Sequence, residues 1–90
     1  MPTRYHVAVR REGDGALLVL ANGSMPGFTL AEAPDWQVVA PVVDRMDSEH
    51  GVQVVALRAA WLGEPRSDGS EDRLYEAMHV GGEPVAGARW

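Results

Sequence analysis

Carboxylates and histidines are the residues of this chain best suited to chemistry. Asp44, Asp47 and Glu49 lie within six positions of one another. Three such acids can hold a divalent cation if they converge, because hard cations take oxygen ligands and negative charge. On a helix, Asp44 and Asp47 (i, i+3) share a face, while Glu49 lies off it. Arg45 stands four residues before Glu49, the spacing of a surface ion pair worth a few tenths of a kcal/mol. His6, His50 and His79 could ligate metal or move protons, but their spacing fits no zinc motif. Ser24, Ser48, Ser67 and Ser70 sit in no nucleophile-elbow pattern. Gly13-Asp14-Gly15 and Gly81-Gly82 are too short, and lack the lysine, to cradle a phosphate, so they read as turns. Trp36, Trp61 and Trp90, with Tyr5 and Tyr75, could line a pocket or an interface. With no convergent polar set beside them, core or interface is the better reading.

The elements that must position these groups centre on residues 36–62. Val39, Val42, Val43 and Met46 recur at i, i+3, i+4 and i+7, which predicts an amphipathic helix over about 38–50. Pro41 belongs in its first turn, where a missing N–H costs nothing. Asp35 is a possible cap. Gly51 suits the left-handed residue that ends helices, and His50 can meet the last carbonyls. Val52 to Leu57 is β-branched and apolar without alternation, which predicts a central strand covered on both faces.

Upstream, Tyr5 to Arg11 alternates and predicts a half-buried strand. Glu12-Gly13-Asp14-Gly15 and the apolar run Ala16 to Leu20 predict a hairpin partner for it. Thr29 to Asp35 reads as loop, with room for a short extended piece. Residues 63–72 form a polar loop between Val52–Leu62 and a last strand over Arg73–Val80, so a long hairpin is expected. A single helix covers only one sheet face, and the other needs a missing helix or a partner.

Size and charge exclude several classes. Ninety residues with 46% apolar side chains make one small globular domain, residues 1–90. A net charge of −5, no lysine and scattered arginines argue against nucleic acid. Without cysteine there is no disulfide, thiolate zinc site or thiol nucleophile. No apolar run approaches the ~20 residues of a membrane span. Met1-Pro2-Thr3-Arg4-Tyr5 enters a strand pattern at once, so a leaderless cytoplasmic protein is expected. The absence of Lys and Ile and the wealth of Ala, Val, Gly and Arg suggest a GC-rich bacterial genome. The end at Trp90 leaves open both a whole chain and the front of a longer one.

The order hairpin, Met25-Pro26-Gly27-Phe28 turn, helix ending Glu49-His50-Gly51-Val52 and apolar strand resembles a Nudix hydrolase. That resemblance implies an α+β fold, a mixed sheet with one central helix in β-β-α-β-β order, as a truncated α/β/α sandwich. It also implies glutamates that hold magnesium or manganese for pyrophosphate hydrolysis. With the family's Nudix box anchored on Gly51-Val52, its arginine falls on Asp44 and its first helical glutamate on Arg45. Its next glutamate falls on Ser48, its last on Glu49, its upstream glutamate on Trp36 and its leading glycine on Leu30. Met46 keeps the apolar position. The packing positions survive and, Glu49 excepted, the metal ligands do not.

The resemblance therefore implies a non-catalytic accessory or interaction domain, without cofactor, metal or catalytic residues. Similar degenerate domains precede small-molecule phosphotransferase domains, so the expected partner is a second copy or a following domain. A divergent pyrophosphohydrolase acting on a nucleoside diphosphate derivative through Asp44, Asp47 or Glu49 is the first alternative. A small-metabolite sensor is the second.

Overall fold

A computed structural model describes residues 2–90; Met1, with which the expected leaderless start begins, lies outside the described residues. Five elements follow in order: β1 (Thr3–Arg10), β2 (Gly27–Leu30), α1 (Ala40–His50), β3 (Val52–Leu62) and β4 (Glu71–Gly82). The strands form one mixed sheet in the order β2-β1-β4-β3. β1 pairs with β4 in parallel, and β1–β2 and β3–β4 are antiparallel. The α+β class, the mixed sheet and the single helix agree with expectation.

α1 forms because Val42 and Met46 bury completely against the sheet, while Asp44, Arg45, Asp47, Ser48 and Glu49 face water. It starts at Ala40 rather than Val38. Val39 is its N-cap and gives no side-chain bond, and Pro41 lies in the first turn as expected. Asp35 does not cap the helix. It builds a turn before it, its carbonyl accepting from the Val38 N–H and its carboxylate from the Gln37 N–H. Gly51 ends α1 in the left-handed region at φ 75°, its N–H donating to Asp47 O at 3.1 Å.

β2 lies at Gly27–Leu30, where a turn and the start of a loop were expected, and two further strand positions differ from expectation. The run Ala16 to Leu20 is not a strand; it meets β1 at one bridge, Arg10 to Leu17, and the C-terminal segment at another, Val19 to Arg89. β2 occupies the β1 edge from Thr3 to His6 and the Val7 N–H donates to Pro26 O, so the run pairs only with the end of β1, through the Leu18 N–H to Val9 O and the Arg11 N–H to Ala16 O. The apolar run instead buries Leu18 as a single plug in the core and leaves Leu17 37% exposed. The second correction concerns β3, which is an edge strand and not a doubly covered centre. Val55 and Leu57 are 51% and 53% exposed. The missing alternation has another cause: register shifts at Gln53/Val54, Ala56/Arg58 and Ala59/Trp61 re-aim the side chains. Such irregularities also blunt an edge that would otherwise recruit other strands.

The core lies between α1 and the inner sheet face, where Tyr5, Val7, Val9, Tyr75 and Ala77 are fully buried. Tyr5 stacks on Phe28 at 4.6 Å and on Tyr75 at 5.5 Å between ring centroids, an aromatic row across β2, β1 and β4.

Candidate functional site

The helix acids do not form a constellation. Asp44, Asp47 and Glu49 are all exposed. Arg45 donates to Glu49 at 2.6 Å, and its guanidinium lies 5.9 Å from the Phe28 ring centroid. Among the described residues, no three His, Asp or Glu side chains are grouped to hold a metal ion. Trp36, at the upstream glutamate position of the box, gives its carbonyl to the Tyr75 hydroxyl at 2.7 Å.

The three histidines lie apart. His50 Nε2 is 2.9 Å from Gly27 O and ties the end of α1 to β2. His79 Nε2 is 3.0 Å from Gly82 O, and its ring meets Trp90 edge-on at 5.0 Å. His6 faces away from the helix, with Nε2 3.1 Å from Asp72 Oδ1. Arg66, from the β3–β4 loop, binds the other oxygen of Asp72. The hydrogen bond from His6, and then the charge of Arg66, hold the Asp72 carboxyl below its ordinary range. Ser24 and Ser70 donate to Asn22 and Asp68 inside turns, and Ser48 and Ser67 are exposed. The aromatic residues also disperse. Tyr5 and Tyr75 are core, Trp36 and Trp61 are 42% and 54% exposed, and Trp90 lies 5.4 Å from the Arg11 guanidinium.

Arg73 escaped the sequence reading. It is 9% exposed and donates to Tyr5 Oη at 3.1 Å, Pro34 O at 2.8 Å and Glu71 Oε1 at 3.1 Å. With the Tyr75 hydroxyl it pins residues 34–36 to the sheet. Burial, and next the neighbouring Tyr5, push the Tyr75 hydroxyl above its usual range. The signal was present: Arg73 stands two residues before Tyr75 and so shares its inward face.

The outer sheet face carries the most distinctive surface. Its side chains align in rows fixed by the strand register. Val55 lies opposite Met78 and Arg10, Arg58 opposite Glu76 and Ala8, and Trp61 opposite Leu74 and His6. The middle row is charged, with Arg58 Nε 2.9 Å from Glu76 Oε2. Apolar side chains flank it on both sides, Val55 and Trp61 being more than half exposed. α1 covers the opposite face, and it is the only helix among the described residues.

Comparison with known proteins gives the fold a relative. No family model matches the chain, and no curated protein matches it. A crystal structure from Sinorhizobium meliloti 1021, described as a "putative oxidoreductase", superposes with a TM-score of 0.67 at 19% identity. The match covers 93% of this chain and 28% of that one. At that identity the likeness is one of fold, and the chain spans under a third of its neighbour's length.

Proposed function

We propose that this chain is a non-catalytic Nudix-like interaction domain that associates through the outer face of its sheet. The observation that carries this reading is the row pattern of that face, an Arg58–Glu76 pair between the apolar pairs Val55–Met78 and Trp61–Leu74. Both signs of charge in one central row make the surface self-complementary under a two-fold rotation, the symmetry of most dimers. A second copy of the chain is therefore the occupant proposed. The same face could serve a following domain, and the larger size of the structural neighbour favours a module used within longer chains.

The non-catalytic part rests on the helix. A divalent ion among phosphates needs clustered carboxylates. Here Glu49 is engaged by Arg45, and Asp44 and Asp47 stand in solvent. Nucleoside di- and triphosphates incubated with magnesium or manganese should yield no phosphate above the protein-free rate. Metal-dependent release that Glu49→Gln abolishes would favour the divergent hydrolase instead.

A further inference from the structure

Beside the β1–β2 edge of the sheet, β1, β2 and the Leu20–Met25 turn border an open cleft of about 450 Å³. That is the size of a small-molecule site. Its polar lining includes Arg4, His6, Asn22 and Thr29, and its apolar lining includes Leu20 and Met25. No Asp or Glu lines it, although the chain has 13 acids against 8 arginines.

Arg4 is exposed and makes no ion pair among the described residues. The acid opposite it in the ladder is Asp72, whose two oxygens are taken by His6 and Arg66. The side-chain carbonyl of Asn22 is likewise engaged, accepting from the Ser24 N–H at 3.0 Å and the Ser24 hydroxyl at 2.7 Å. What remains for a ligand includes the Arg4 guanidinium, the Asn22 amide N–H groups and the hydroxyls of Thr29 and Ser24. Among these groups only Arg4 carries a fixed charge. A guanidinium with free N–H groups favours carboxylate or phosphate, which it can bind in a two-pronged manner.

We infer that this cleft binds a small organic anion, its carboxylate or phosphate held by Arg4 with help from Asn22 and Thr29. Its apolar body rests on Leu20 and Met25, whose side chains adapt to shape. The site lies on the β1–β2 side and does not depend on the association proposed for the β3–β4 side.

Phenyl phosphate, benzoate and neutral phenol, each titrated into the ¹⁵N-labelled chain, form the test. One or both anions should shift the backbone amides of residues 4–6 and 20–29, whereas phenol should not. Which anion binds distinguishes phosphate from carboxylate recognition. Arg4→Gln should weaken binding about tenfold or more, and Arg11→Gln, at a residue outside the cleft, should leave it unchanged. Anion binding indifferent to Arg4→Gln, shifts confined to other residues, equal binding of phenol, or no shift with either anion at millimolar concentration would overturn the inference.

Discussion

The hydroxyl of Tyr75 reaches the carbonyl of Trp36 across 39 residues of sequence. Tyr75→Phe removes that donor and leaves the ring in place. A loss of about 1 kcal/mol is expected in urea unfolding, the usual worth of one such bond. Asp72 makes a pH prediction. Its carboxyl is held below the ordinary range, so its contribution is present above the unfolded value of about 3.9. It is lost as the pH falls through the lower folded value. Asp72→Asn should therefore flatten the acid limb of the stability curve below about pH 4, read as melting temperature against pH. Residue-scale features were legible only where they were local. The Arg45–Glu49 spacing sufficed to foresee its ion pair. His6 meets Asp72, and Arg73 meets Tyr5, across the sheet, and no local pattern announces those partners.

Elements were legible where one stretch carries both its period and its stop signal. α1 shows this: Val42 and Met46 name the buried face, Pro41 the start and Gly51 the end. Gly51 is also where the helix is most sensitive. Its φ of 75° suits glycine, and an added Cβ would lie 2.6 Å from Glu83 O. Gly51→Ala should cost at least about 1–2 kcal/mol, measured by chemical denaturation. Strands were harder. Ala16 to Leu20 has the composition of a strand, yet it meets β1 only near Arg10, and β2, only four residues long, takes the edge from Thr3 to His6. In β3 the register shifts erase the alternation, and an edge strand then imitates a buried one.

At the scale of the molecule, the parallel pairing of β1 with β4 decides the architecture. It joins Thr3–Arg10 to Glu71–Met78, places β4 centrally and sends β3 to the edge. No local signal encodes that pairing, so the sequence revealed that one helix leaves a sheet face over but not which residues compose it. Register supplies them: Val55 with Met78, Arg58 with Glu76, and Trp61 with Leu74. Among the described residues no helix is long and apolar enough to cross a membrane. Sedimentation of the wild-type chain beside Val55→Glu tests association through this face most directly. Val55 is half exposed, so the charge should not disturb folding, and circular dichroism should be unchanged. The wild type should sediment as a dimer at high micromolar concentration, and Val55→Glu as a monomer. A monomeric wild type, or a dimer that Val55→Glu leaves intact, would contradict the account.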